Sequence, residues 1–345
     1  MNTGGSLMCR EPKNGEGLVY NVPASDTGKT VRDIIKKHFG FSSKALTALK
    51  RDEKGIVLNG VRVTVRAQVK DGDTLVLNLA ADDENMGVSA EPVQLPLNIV
   101  YEDPDVFVAD KPPYMPTHPS HGHFDDTLAN AVAFYFMNDN ADDTLESGIG
   151  NTSCFVFRSV NRLDRNTSGL VCVAKHRYAA SIMSSFMSEE LIKKKYIAIT
   201  NGIPKDDCGV IDTYIKRERE SIITRTVCDA DSPGAARALT YYSVIGKSAD
   251  GKYAEVLLEP QTGRTHQLRV HLAYIGTPIF GDELYGSSGQ PYIGRHALHA
   301  CGLSFPKVRI NGNAGKRDIV VLSSELPEDM RTLEKALNIK PTAKN

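Results

Sequence analysis

The chain has 345 residues, room for two or more domains, and a hydrophobic share of 41%, which supports ordinary packed cores. No apolar run is long enough to span a membrane, and Met1-Asn2-Thr3-Gly4-Gly5-Ser6 lacks the apolar core of a signal peptide, so a cytoplasmic protein is expected. The six cysteines (9, 154, 172, 208, 228, 301) are scattered without a C-x-x-C pair, which argues against a disulfide framework or a zinc ribbon.

The net charge of −1 hides a strong asymmetry. Residues 29–79 carry +6, residues 80–150 carry −13, and residues 151–345 carry +7. Phosphate contacts depend on local positive charge, so the near-neutral total does not exclude a nucleic-acid partner. Trp is absent, so any stacking platform must be Tyr, Phe, His or Arg.

Residues 30–50 read as two short helices. Val31, Ile34, Ile35 and Phe39 share helical spacing, Gly40 closes the first, and Ser42 or Ser43 caps the second. Lys36, Lys37, Lys44, Lys50 and Arg51 fall around the apolar positions as candidate RNA contacts. Ile56-Val57-Leu58 leads into the hairpin signal Asn59-Gly60. Val61, Val63 and Val65 then alternate with polar residues like a half-exposed strand, and Thr74–Leu77 reads as another. This helix–helix–hairpin order resembles the alpha-L RNA-binding domain. The resemblance implies a small N-terminal α+β RNA-binding domain within residues 1–79, its core about 29–79.

Residues 80–96 lack periodicity and read as a linker that leaves the first domain free to move. Ile99–Asp103 and Val106–Pro112 read as strands of a hairpin. His118, His121 and His123 cluster in a Pro/Gly/Ser loop, and a metal-dependent hydrolase built on them is one alternative function. The polar, acidic stretch 138–153 reads as a surface loop.

Val160-Asn161-Arg162-Leu163-Asp164-Arg165-Asn166-Thr167-Ser168-Gly169-Leu170 is the most informative stretch. It puts Asp164 between two arginines, ahead of a Thr-Ser-Gly turn and the apolar run 170–174. Flanking guanidinium groups favour an ionised carboxylate, and an ionised, oriented carboxylate can attack carbon. An amphipathic helix over about 176–189 follows, then Lys193-Lys194-Lys195-Tyr196-Ile197-Ala198-Ile199. After a strand over 254–258 comes Thr262-Gly263-Arg264-Thr265-His266-Gln267-Leu268-Arg269-Val270-His271. There Thr265 is placed to cap a helix running to about Tyr274, with Gly276 as its stop. Gly281-Asp282 reads as a turn.

The stretches around Asp164, Tyr196 and Arg269 closely resemble the signatures of the RluA family of pseudouridine synthases. The match spans about residues 97–322. It departs at Asn161, where the family usually has His. The resemblance implies an α+β pseudouridine synthase fold, with a mixed, mainly antiparallel sheet and a central cleft. The catalytic domain would occupy residues 97–325, ahead of a C-terminal tail, 326–345. It also implies that Asp164 is the nucleophile, that Arg269 pairs with it, and that Tyr196 enters the site to stack on uracil or move a proton. Leu303 would pack in the uracil pocket. Arg162 is a candidate to contact phosphate or fill the gap left by a flipped base, with Arg165 and Arg264 as further RNA contacts. The partner expected is RNA, ribosomal or transfer, with a monomeric protein. No cofactor or metal is expected, because substrate and product contain the same atoms. The other alternative is a non-catalytic RNA-binding protein that has kept the fold, with Asn161 as its support. Attack at the anomeric carbon, attack at the uracil ring and elimination to a glycal all stay open.

Overall fold

The computed structural model describes residues 18–39, 41, 43–78, 88–139, 156–218, 221, 223–286, 291–308 and 318–342. Gly40, Ser42, Cys9, Cys154 and the acidic stretch 140–153 lie outside the described residues, as do the side chains of Lys37 and Lys44.

A small sheet opens the fold, made of β1 (Leu18–Asn21), β2 (Ile56–Leu58), β3 (Val61–Arg62) and β4 (Thr74–Leu77) in the order β1-β4-β2-β3. The short helix α1 (Val31–Asp33) and α2 (Ser43–Arg51) cover it. A capping box between Thr30 and Asp33 starts α1. Asn59 and Gly60 both take positive φ, 51° and 80°, as a two-residue hairpin turn requires. The expected Val61–Val65 strand stops after Arg62, and Val61 is exposed.

The main sheet contains β5 (Val88–Ser89), β6 (Ile99–Glu102), β7 (Val106–Lys111), β8 (Val156–Ser159), β9 (Ser168–Ala174), β10 (Lys193–Asn201), β11 (Cys208–Arg217) and β12 (Arg225–Cys228). It continues with β13 (Ala236–Ser248), β14 (Tyr253–Pro260), β15 (Leu298–Pro306), β16 (Ile319–Ser323) and β17 (Ile339–Pro341). Helices α3 (Leu128–Asp139), α4 (Arg177–Ser188), α5 (Gln267–Tyr274) and α6 (Glu328–Ala336) pack around it. The longest path runs β12-β11-β13-β14-β10-β15-β9-β7-β6. All its pairs are antiparallel except β15 with β9. The architecture is therefore α+β with a mixed, mainly antiparallel sheet.

The core strands are apolar on both faces, because the sheet separates two apolar clusters. Val171 and Val173 of β9 face one, with Phe107 and Ala109 of β7. Leu170, Cys172 and Ala174 face the other, with Val106 and Val108. Alternation of successive side chains across a strand explains this division. Gly169 is required where β9 meets β15. A Cβ there would lie 2.3 Å from the carbonyl oxygen of Ala300.

Three expectations change. The linker assigned to 80–96 joins the fold from Val88, where β5 pairs with β8 and the Asn130 amide donates to the Glu91 carbonyl. Residues 326–341 do not form a loose tail. They include α6, with Met330 and Leu333 fully buried, and β17, which pairs with β13. The small sheet is also not free. Its apolar residues share a cluster with α4 and β9. The Tyr178 hydroxyl of α4 accepts from Leu18 N at 2.7 Å and donates to the Leu77 carbonyl at 2.6 Å. Tyr178 also stacks on Phe41 with ring centroids 6.1 Å apart.

Candidate active site

Asp164 sits in the loop between β8 and β9. The turn falls earlier than the sequence implied: Thr167 N donates to the Asp164 carbonyl, so Arg165 and Asn166 occupy its centre, and Ser168-Gly169 already belong to β9. Several anchors hold the loop. The Asn161 amide donates to the Leu170 carbonyl at 3.0 Å and accepts from Cys172 N at 2.8 Å, two hydrogen bonds that tie the loop to β9. Thr117 Oγ1 donates to the Leu163 carbonyl at 2.9 Å. Thr167 Oγ1 meets His296 Nε2 at 2.8 Å. Burial, then the Arg269 charge, pushes His296 down to about 3, so this ring stays neutral.

Arg269 rises from α5, whose start departs from expectation. His266, not Thr265, precedes the helix, in a left-handed conformation with φ 57°. The Gln267 side chain fixes the approach. Its Oε1 accepts from Thr262 Oγ1 and Arg264 N, and its Nε2 donates to the Leu239 carbonyl and to Thr240 Oγ1. With α5 placed this way, Arg269 Nη1 lies 3.5 Å from Asp164 Oδ2.

The closer partner of Arg269 is Asp282, which the sequence presented only as a turn residue. Arg269 Nε and Nη2 donate to its two carboxylate oxygens, each at 2.7 Å. Asp282 is fully buried and also accepts from the backbone N–H of Leu284 and Tyr285. Burial works against its charge, but the Arg269 bonds and charge outweigh that and hold the carboxyl below its ordinary range. Tyr285 completes the cradle. Its ring lies 5.1 Å beneath the guanidinium carbon, and its hydroxyl meets His266 Nδ1 at 2.8 Å and accepts from Arg225 N at 2.8 Å. His266 Nε2 is 3.9 Å from Asp164 Oδ2.

The Asp164 side chain is 22% exposed and opens into a cleft of about 200 Å³, lined also by Arg165, His266, Arg269, Gly294 and His296. Tyr196 lies on β10 opposite Leu258, at a register shift in the β10–β15 pairing. Burial, then the Asp164 charge, raises its hydroxyl well above the ordinary tyrosine value, so it keeps its proton at neutral pH.

Other expected residues lie elsewhere. Leu303 packs in the cluster with Phe305 and Val320, on the far face from Tyr196, and is not in the cleft lining. Arg162 and Arg165 are exposed on the Asp164 loop itself, and Arg165, which lines the cleft, donates through Nε to the Tyr114 carbonyl at 3.2 Å. Arg264 is exposed and donates to the Arg237 carbonyl at 3.0 Å. Lys50 and Arg51 are exposed on α2, and Lys36 reaches Ser43. His118 bonds Ser159 and packs on Phe157, while His123 pairs with Asp126. Among the described residues no group of three metal-ligating side chains forms.

The family model for RNA pseudouridylate synthase matches residues 105–274. The chain is 37% identical to the uncharacterized RNA pseudouridine synthase YjbO of Bacillus subtilis, over 87% of this chain and 96% of that protein. It is 30% identical to the ribosomal large subunit pseudouridine synthase D of Haemophilus ducreyi, over 93% and 94% of the two chains. Among solved structures, human RNA pseudouridylate synthase domain containing 4 superposes with a TM-score of 0.56 at 23% identity, covering 70% of this chain and 94% of that one, a likeness of fold. The chain belongs to the RNA pseudouridylate synthase family, is of the RluA type, and is an isomerase.

Proposed function

We propose that this protein isomerises particular uridines of structured RNA to pseudouridine, with Asp164 as the acting carboxylate. One observation carries the reading: Asp164 opens to the cleft while touching an arginine that a buried carboxylate already holds in place. A fixed cation beside the carboxylate orients it without reorganisation during the reaction.

A uridine must leave its stack to reach such a cleft, at a cost of about a few kcal/mol. Asp164 then either attacks the anomeric carbon or the uracil ring, or assists elimination to a glycal. The uracil turns and rejoins the ribose through carbon. Substrate and product contain the same atoms, so the net reaction consumes no cofactor. Tyr196 is buried beneath the cleft lining rather than in it, and its retained proton suits its hydroxyl to hydrogen-bond donation rather than to service as a base.

Large-subunit ribosomal RNA is the leading substrate, since the relative named for that subunit aligns over 93% of this chain. Transfer RNA is the alternative. The exposed Lys50 and Arg51 and the half-buried Lys36 of the small domain, with Arg162 and Arg264, supply charge for the RNA backbone.

Tritium release from RNA labelled at uracil carbon-5 tests the reading. The RNA is taken from cells lacking this protein, so that target sites remain unmodified. Wild type is expected to release tritium, and Asp164→Asn to abolish release while still binding RNA. Near-normal turnover by Asp164→Asn would remove the assignment. RNA binding without release by wild type would instead favour a binding protein that has kept the fold.

A further inference from the structure

Tyr114 stands at the apex of a tight loop that Lys111 closes. The Lys111 ammonium is buried and donates to the carbonyls of Pro112 at 2.9 Å, Met115 at 2.8 Å and Arg165 at 3.2 Å. It therefore pins both ends of the Tyr114 loop and joins that loop to the one bearing Asp164. Inside this clamp Tyr114 adopts φ 66°, a left-handed conformation unfavourable for a bulky side chain. Burial does not explain a tyrosine there, because the residue is 47% exposed. Glycine would satisfy the backbone better.

The ring stands at the lip of the cleft. A Cβ on Gly294 would lie 3.1 Å from the Tyr114 hydroxyl. Gly294 and Arg165 both line the cleft with Asp164, and Arg165 is bonded to the Tyr114 carbonyl. Among the described residues, six non-glycine positions have positive φ, and three of them gather here. They are Tyr114, the cleft-lining His266 and Tyr292, which is exposed two residues before Gly294. Strain concentrated around one cleft, and over-determined by its surroundings, marks a functional surface.

We propose that Tyr114 is the stacking platform for the nucleobase adjacent to the target uridine. The proposal rests on the synthase reading above and adds a subsite to it. Extruding a uridine exposes the face of a neighbouring base, and a rigid aromatic ring beside the pocket replaces the lost stack. Pinning the ring in advance avoids ordering it at the moment of binding.

The test measures tritium release from carbon-5-labelled total RNA of cells lacking the protein, with melting temperatures, for Tyr114→Ala, Tyr114→Gly and Tyr114→Phe. Tyr114→Ala and Tyr114→Gly are expected to raise the apparent KM roughly tenfold, the scale of one base–aromatic stack. The loss should fall on KM rather than kcat. Tyr114→Gly should melt no lower than wild type, because it relieves the backbone. Tyr114→Phe should recover wild-type affinity. Unchanged KM in the Ala and Gly variants would overturn the platform, as would a Phe variant as weak as Ala, which would make the hydroxyl the contact. Failure of wild type itself to release tritium would remove the synthase reading and the subsite with it. That outcome differs from a KM defect confined to Tyr114 variants.

Discussion

Arg269 divides its guanidinium between two unlike carboxylates. Asp282 is fully buried and fully bonded, whereas Asp164 is partly open and 3.5 Å away. The first fixes the arginine, and the second opens to the cleft. Asp282→Asn should therefore lower stability by about 3 kcal/mol, the scale of breaking a buried ion pair. It should also cut turnover at least tenfold at temperatures where the variant stays folded. Thermal melting and tritium release measured together check this, and a stable variant with full turnover would contradict it. The Asp164 and Arg269 stretches were legible because long motifs carry them. Asp282 was half legible: its turn bonds to Leu284 and Tyr285 are local, but its arginine is 13 residues away and no nearby pattern announces it.

Among the elements, the alternating strand β14 and the amphipathic helix α4 were readable from their periods. Helix α3 was not. Leu128, Ala129, Ala131, Val132, Ala133 and Phe136 are all buried, so it carries no polar stripe to reveal a helical period. Helix α6 was missed for another reason. Its anchors, Met330 and Leu333, gain meaning only from the distant chain they meet, as does Asp329, which holds the fully buried Arg295. Arg295 in turn donates to the Asn166 carbonyl and to Ser168 Oγ, so α6 braces the loop that carries Asp164. On another side of α6, Glu334 bonds Glu255 of β14. Burial, then the Glu334 charge, pushes Glu255 up to about 8. A carboxyl raised in the folded state binds a proton that the unfolded chain has lost. Its stabilising contribution is complete below the ordinary glutamate range near pH 4.3 and falls away as pH rises to about 8. Urea melts of wild type should thus weaken between pH 5 and pH 9, and Glu334→Gln should flatten that slope. An equal slope in the variant would mean that the pair does not share the proton.

At the scale of the molecule, the division into a basic module and a larger sheet was visible in charge and turn signals, but their attachment was not. Nothing local marks Tyr178 as the residue that closes the end of another sheet. Its hydroxyl serves the Leu18 N–H and the Leu77 carbonyl together, and these residues face each other across β1 and β4. Tyr178→Phe would strip both groups of a partner, at about 1–3 kcal/mol for each that stays buried. Amide hydrogen exchange should then accelerate across residues 18–78 while β7 and β9 keep their protection. Uniform exchange across the chain would contradict a local attachment.

If the module contacts RNA as proposed, that attachment makes the protein a caliper. A loosely tethered module would raise RNA affinity for many spacings between its own contact and the pocket, as a flexible linker does. On the reading proposed above, in which both the module and the cleft contact RNA, a docked module would admit only RNA folds that present a phosphate ridge and an extrudable uridine at one separation and one angle. Selection among uridines would then be made by measuring the shape of the RNA between two fixed points, with little need to read the bases along the way.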